Sequence, residues 1–532
     1  METIMPKNIP VLIIGAGPTG LAMATILHRH GIEFRIIEKK SEQTQHSNAL
    51  GIHACTLEIL EDLHVVEPFL AEGSHLTQTC FYVNGRRIAS MNLRLIDSPY
   101  PFVLILPQSQ TEKILNNHLT RQHIQVERDV ELLQIEKNHQ HYLITVKQQG
   151  QPGTFSADWV IACDGAHSKV RELLNIPFKG DEIPQQFVIA DVKAMTDLAL
   201  NKIHAFYSSQ GLIAFFPLPS GDFRIIADLP VGEQKTLDEI DLQALIRERS
   251  HQSIKITHCI WKSTFWIHSK VIANMQHDRV FFAGDAAHIH SPVGGQGMNS
   301  GIQDVYNLGW KLALVIKGAA SQNILSSYNE ERYPIARDLV HDTDRLTRIM
   351  LSRNPLIKFL RNWLIRPITH LKSFNYKMAN RISMLSLSYQ QSSIINYKSA
   401  ISNRSPQPGE RVPYVHLLHP YHLNHYLHGT QHQLLIFAGK NPAPQDLQIM
   451  ADLIERIKDK YYGRVQHYVV TQKRLMNFVS QLSDDNFVIH KAFNINRPAL
   501  CLVRPDKYIA YCNSRLDVKG LMNYLASVLK EG

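Results

Sequence analysis

The residues able to do chemistry gather in three short runs. The richest is residues 284–313, GDAAHIHSPVGGQGMNSGIQDVYNLGWKLA, where Asp285 follows the apolar stretch 280–283 and precedes a loop holding Pro292, Gly294, Gly295 and Gly297. Apolar residues then recur at Ile302, Val305, Tyr306, Leu312, Ala313 and Ile316, the spacing of one buried helix face. A strand, a glycine loop and a helix N-terminus together let backbone amides approach an electron-rich ligand closely. The second run, Gly15-Ala16-Gly17-Pro18-Thr19-Gly20, has the spacing that cradles a pyrophosphate. Glu38, followed by Lys39, stands where an acid accepts hydrogen bonds from ribose hydroxyls. The third run, CDGAHSKVR at 163–171, sets Asp164 and Gly165 after an apolar stretch. By itself it fits an ordinary turn, in which Ser168 caps a helix, better than a ligand site.

Each run needs elements to hold it. Residues 11–14 form a short buried strand, the glycine turn leads into a helix ended by Gly31, and 34–38 form the next strand. Framed in this way the G-x-G-x-x-G means a dinucleotide, without separating NAD from FAD. Residues 56–60 have helical spacing, 78–95 read as strands around the turn Asn84-Gly85, and the stretch 106–112 opens an amphipathic helix running to about Gln122. Ser109 and Glu112 resemble a capping box for that helix. Alternating patterns at 183–228 and 254–270 predict a second, largely antiparallel sheet inserted before the glycine loop. Its aromatic residues suit either a cavity wall or, for most of them, plain core. Residues 402–409 are a linker by composition. Beyond them, strands at 433–437, 466–470, 499–503 and 508–511 and a helix at 444–458 are compatible with a thioredoxin-like domain, which lacks the C-x-x-C needed for redox work.

The totals exclude several classes. With 532 residues, 44% apolar and 19% charged, the chain is a multi-domain globular protein and not a disordered one. Six scattered cysteines argue against a disulfide framework and for a reducing cytoplasm. The N-terminus does not read as a signal peptide, and no apolar run is long enough to span a membrane. Of the net charge of +9, eleven Lys or Arg fall within residues 345–409, which hold no Asp or Glu. The positive charge therefore belongs to one segment and does not make a nucleic-acid-binding surface. Within it, Leu356, Phe359, Leu360, Trp363 and Leu364 form an apolar stripe flanked by Lys358, Arg361 and Arg366. Packing on its own domain or on a second subunit of a homodimer is favoured over lying on a membrane.

The three runs in this order, GAGPTGLAMA with Glu38, CDGAHSKVR, and FFAGDAAHIHSPVGGQGMNSGIQDVYNLGWKLA, closely resemble the single-component FAD-dependent aromatic hydroxylases of the para-hydroxybenzoate hydroxylase type. The branch that includes phenol hydroxylase, hydroxyphenylpropionate hydroxylase and the polyketide hydroxylases fits best, because SPQPGERVPYVHL and LVRPDKYIAYC look like parts of its C-terminal domain. The resemblance implies an α/β and α+β chain. Its Rossmann-like FAD-binding domain would comprise 1–75, 100–178 and 271–345, and the inserted antiparallel-sheet substrate domain 76–99 and 179–270. A helical segment at 346–401 and a thioredoxin-like domain at 402–532 would complete it.

It also implies roles. Gly15, Ala16, Gly17 and Gly20 would hold the FAD pyrophosphate, with Glu38 and Lys39 toward the adenosine ribose. Gln108 would contact the flavin, Asp164 would serve both FAD and NAD(P)H, and Asp285 would meet the ribityl chain. Backbone amides of Gly297, Met298 and Asn299 would face the flavin pyrimidine edge, and Pro292 and Asn299 would take part in catalysis. NAD(P)H would reduce FAD, and O₂ would form a flavin hydroperoxide that hydroxylates a phenolic or polycyclic aromatic small molecule. His288 and His290 lack a third ligand nearby, so no metal is expected. Alternatives keep the cofactor: an antibiotic-modifying monooxygenase, or a flavin-binding protein with little turnover. The sequence departs from the family at Asn48 and Cys55, where arginines are common, and at Leu50, where the phenol hydroxylases carry an aspartate.

Overall fold

The computed structural model describes residues 8–43, 49–229, 236–291, 294–352, 354, 371–395, 401–417 and 421–532. Pro292, Asn48 and the apolar stripe at 356–364 lie outside the described residues. The chain divides into two compact units, one of residues 1–25, 34–304 and 335–385, the other of 26–33, 305–334 and 386–532.

The first unit holds two large sheets. In one, the strand Asn8–Ile14 lies between Phe34–Glu38 and Gln151–Ala162, with Val280–Phe282 next to the latter, and all these neighbours run parallel. The core strands are continuous apolar runs such as VLII and VIA because both faces are buried. Helix Pro18–Arg29 returns the chain from the first strand to the second, the crossover that parallel strands require.

The second sheet has eight strands, in the order His288–Ile289, Lys255–Ile272, Phe178–Met195, Phe223–Asp228, Gly211–Pro217, Lys202–Ser208, Gln78–Val83, Arg86–Asn92. Neighbours are antiparallel except Lys202–Ser208 and Gln78–Val83. The last pair turns at Asn84 and Gly85, with φ of 46° and 76°, so the expected hairpin forms through two left-handed residues. One face of the sheet packs Val188, Phe206, Phe215 and Ile225 against Ile246 of the helix Leu242–Ser250. His288–Ile289, inside the glycine-loop run, is this sheet's edge strand.

Helix Gln108–Arg121 forms as expected, but Ser109 does not cap it. Pro107 is the N-cap residue, with φ −53°, and the helix start has no side-chain cap hydrogen bond. Proline's fixed φ starts the helix two residues earlier than a capping box on Ser109 requires.

In the second unit a five-stranded sheet runs in the order Gln481–Ser483, Val465–Thr471, His432–Phe437, Ala499–Val503, Ile509–Asn513. The first three strands are parallel and the last two add an antiparallel hairpin. The helices Pro444–Lys460 and Val518–Val528 accompany this mixed sheet.

Candidate cofactor site

Four parallel strands end together. Ile14 is in register with Ala162 and Ile37, and Ala162 with Phe282, so Gly15, Glu38, Asp164 and Asp285 leave the sheet at the same end. This is the crevice where open α/β sheets bind ligands. Gly15 has φ +99°, and a Cβ there would strike the Cys163 carbonyl; a Cβ on Gly20 would strike the Gly15 carbonyl. A Cβ on Gly17 would meet nothing within 4 Å, so open space lies over the start of the helix. Two glycines therefore serve packing and the third leaves room for a diphosphate at a helix N-terminus, as an FAD site requires. Glu38 accepts hydrogen bonds from the Ala16 amide at 2.9 Å and the Lys40 amide at 3.0 Å, which pins it against the turn. Lys39 is exposed.

The Asp164 run satisfies both readings. Ser168 does cap its helix, its Oγ accepting from the Arg171 amide at 3.1 Å, while Asp164 Oδ2 accepts from the Val170 amide at 3.1 Å. Desolvation raises the Asp164 pKa. The Arg171 guanidinium donates to the Ala166 carbonyl at 2.6 Å and the Ala286 carbonyl at 2.9 Å, and stacks 3.9 Å over Phe178. It thereby ties the Asp164 loop to the Asp285 loop.

Solvent reaches Asp285, yet protein surrounds it closely enough for desolvation to raise its pKa. Behind it, Asp304 Oδ2 accepts from the Gly284 amide at 3.0 Å and from His288 Nε2 at 2.7 Å. His288 is thus committed to a carboxylate. His290 Nδ1 lies 2.8 Å from the Ser291 carbonyl, and burial pulls its pKa down to about 4.

Gln108 donates from Nε2 to Glu112 at 2.9 Å, and its Oε1 lies 3.4 Å from the Ala49 amide. Glu112 is buried, desolvation raises its pKa, and it feels the charges of Lys40 and Glu38. Gly297 and Met298 open the helix Gly297–Ile316 and are half-buried. Asn299 is buried, and its side chain is taken up by backbone: Oδ1 accepts from the His53 amide at 2.9 Å, and Nδ2 donates to the Gly51 carbonyl at 2.9 Å and the Gly295 carbonyl at 2.8 Å. Cys55 is buried in the first turn of the helix Ala54–Asp62, and Leu50 is buried beside it in sequence.

The three runs therefore converge at one end of the sheet, beyond four strand ends. Sequence reasoning did not single out Arg171, Asp304 or His53, and it read Glu112 only as the acid of a capping box. Arg171 and Asp304 lay inside the quoted runs, and only their partners were invisible.

The model of the "FAD binding domain" family matches residues 8–343. The chain is 28% identical over 518 residues to a 6-methylpretetramide 4-monooxygenase from Streptomyces rimosus, covering 94% of this chain and 90% of that one. It is 30% identical over 386 residues to a rifampicin monooxygenase from Streptomyces venezuelae, covering 71% and 79%. Among solved structures, the anhydrotetracycline hydroxylase of Streptomyces rimosus superposes with a TM-score of 0.76 at 27% identity, covering 98% of this chain and 99% of that one. With the glycine turn, the acid on the second strand and the helix-start loop in place, the chain belongs to the FAD-dependent aromatic hydroxylases and is a flavoprotein monooxygenase.

Proposed function

We propose that the chain hydroxylates an aromatic substrate of more than one ring, and that the residues gathered at that end of the sheet hold its FAD. The convergence of Gly15–Gly20, Glu38, Asp164 and Asp285 at four strand ends is the observation that carries this reading. When bound, FAD supplies the electron relay from NAD(P)H to O₂ that delivers one oxygen atom to the ring.

The chain's own work is positioning and exclusion. The open ground at Gly17 receives the pyrophosphate, and Glu38, fixed by two backbone amides, faces the adenosine ribose. Asp285 would accept hydrogen bonds from ribityl hydroxyls, Asp164 would serve FAD and NAD(P)H, Gln108 would add its amide, and Gly297, Met298 and Asn299 would offer helix-start amides to the pyrimidine edge, where partial positive charge favours an electron-rich ring. Pro292 belongs to the same proposed loop.

Phe187 and Phe265 stack at 5.5 Å with Ile226 and Ile267 around them. Phe187 neighbours Val188 in one strand, so this cluster lies on the sheet face opposite the helix Leu242–Ser250. A flat apolar wall of this kind would suit a fused-ring substrate. The relatives named for 6-methylpretetramide, anhydrotetracycline and rifampicin support the same size class.

No described helix is long and apolar enough to cross a membrane. A cytoplasmic homodimer without a nucleic-acid partner is part of the proposal, resting on the scattered cysteines and the confined basic segment.

The test is a flavin spectrum of the purified protein, then NADH and NADPH oxidation against single-ring and fused-ring phenols, with product mass read for one added oxygen. Stimulation by fused-ring phenols is expected. FAD-loaded protein that no aromatic compound stimulates counts decisively against the reading.

A further inference from the structure

His53 ends the short strand Gly51–Ile52 and occupies the N-cap position of the helix Ala54–Asp62, with φ −87° and ψ 160°. A buried polar residue there is expected to cap its own helix, yet the His53 side chain makes no cap hydrogen bond. It turns away, and Nε2 lies 2.8 Å from the Gly294 carbonyl. A carbonyl only accepts, so Nε2 carries the proton and His53 is the donor. Desolvation lowers the pKa of His53, so the ring is neutral and its tautomer is set by this bond.

Asn299 reinforces the same junction from the other side. Its amide group takes the His53 amide hydrogen and gives hydrogens to Gly51 and Gly295, with distances of 2.9, 2.9 and 2.8 Å. Two side chains thus make four hydrogen bonds that fasten the strand Gly51–Ile52 and its helix start to the Gly294–Gly295 pair.

That pair needs fastening. Gly294 and Gly295 have φ of +92° and +63°, conformations that glycine adopts and leaves with equal ease. A Cβ on Gly294 would touch only the Gln296 side chain, and a Cβ on Gly295 would meet only His53 Nε2, at 3.9 Å. Packing does not hold these two residues; the hydrogen bonds do. Two residues later Gly297 begins the helix whose first amides face the flavin in the reading above.

We infer that His53 is a positioning residue: by donating from Nε2 to the Gly294 carbonyl it sets the place of the Gly297–Met298 amides against the flavin and so tunes FAD affinity and reduction potential. This rests on the proposed placement of those amides. His53 touches neither reacting atom nor substrate, so its effect passes entirely through the loop.

Two variants and three readouts test it. His53→Leu removes the donor at similar volume, while His53→Gln carries an amide N–H of similar reach. Hydrogen exchange of a peptide spanning 294–299 in apoprotein reads the clamp itself. Titration of apoprotein with FAD reads affinity, and a dye-coupled reduction reads the midpoint potential, neither of them needing a substrate. For His53→Leu we expect faster exchange in 294–299, FAD affinity reduced about tenfold and a lower midpoint potential, with His53→Gln close to wild type in all three.

Unchanged exchange in His53→Leu means that no clamp exists and overturns the inference. Faster exchange with unchanged affinity and potential also overturns it, and assigns the failure to the placement of the amides at the flavin. Should His53→Leu not fold, His53→Asn replaces it. Its amide is a bond too short to reach Gly294, and it must then differ from His53→Gln in potential for the inference to stand.

Discussion

Glu331 and Arg504, 173 residues apart in sequence, meet through hydrogen bonds of 2.6 and 2.8 Å with both side chains shielded from solvent. Lys311 Nζ donates to the same carboxylate at 2.8 Å, and Trp310 Nε1 donates to Asp506 at 3.0 Å. The helices Gly297–Ile316 and Ser326–Leu351 supply Lys311 and Glu331, and the turn between strands Ala499–Val503 and Ile509–Asn513 supplies Arg504 and Asp506. Arg504→Leu leaves two buried carboxylates short of their partner, so we expect a loss of about 3–5 kcal/mol in urea denaturation followed by tryptophan fluorescence.

The same cluster predicts a pH dependence. Desolvation works to raise the Glu331 pKa, but the charges of Arg504 and Lys311 outweigh it and hold the carboxyl well below the usual carboxylate range. A depressed folded pKa gives stability that is complete above the unfolded value and lost as pH falls through the folded one. Stability measured across the acid range is expected to fall with pH in the wild-type protein and to fall less steeply in Glu331→Gln. Parallel slopes in the two proteins would refute the assignment.

Arg171 predicts a cofactor effect. Its two hydrogen bonds leave in the fork geometry of a guanidinium, which lysine does not reproduce. Arg171→Lys is therefore expected to loosen the Asp164 and Asp285 loops together and to weaken FAD binding about tenfold, read by apoprotein titration. Retention of wild-type affinity would show that the two loops are held without it.

What was legible in the sequence follows from the range of the interactions. The glycine turn, its flanking strands and the strand 499–503 are set by neighbours a few residues away, through backbone stereochemistry and side-chain alternation, and they stand where the pattern put them. Ser109 failed as a cap because Pro107 had already fixed the helix start. The ties that assemble the site are distant: Arg171 reaches Ala286 over 115 residues and His53 reaches Gly294 over 241. Their partners are backbone carbonyls, which every residue possesses, so no residue-type pattern marks them. Asn299 was legible as a site residue, but its side chain serves the backbone of the site.

Asp285 carries a trade-off between stability and binding. Protein around Asp285 raises its pKa by desolvation while its exposure lets solvent screen the charge, so ionisation at neutral pH opposes folding weakly, and the opposition grows as pH rises through the folded pKa. Asp285→Asn removes that charge. We expect its apoprotein to melt at a higher temperature than wild-type apoprotein at pH 7, with the difference vanishing near pH 3. FAD affinity should move the other way, dropping by roughly 1.5–3 kcal/mol for the loss of a charge-assisted hydrogen bond. An apoprotein no more stable at pH 7 than at pH 3, relative to wild type, would contradict the raised pKa.

Phe265 predicts substrate size. It stacks on Phe187 at 5.5 Å and is only half-buried, unlike Phe187, so its ring is the exposed part of the wall. Phe265→Ala removes one side of a flat surface that a fused-ring phenol would cover and a single ring would cover only in part. An aromatic contact of this kind is worth about 0.5–1.5 kcal/mol beyond the buried area, and removing the whole ring loses the area as well. We therefore expect kcat/KM for fused-ring phenols to fall at least about tenfold, with a smaller fall for single-ring phenols and more hydrogen peroxide released per NAD(P)H as water enters. FAD affinity should stay at the wild-type value, because Phe265 lies on the substrate sheet and not on the strand ends. An equal fall for both substrate classes would mean that Phe265 supports the sheet without reading the size of the ring system.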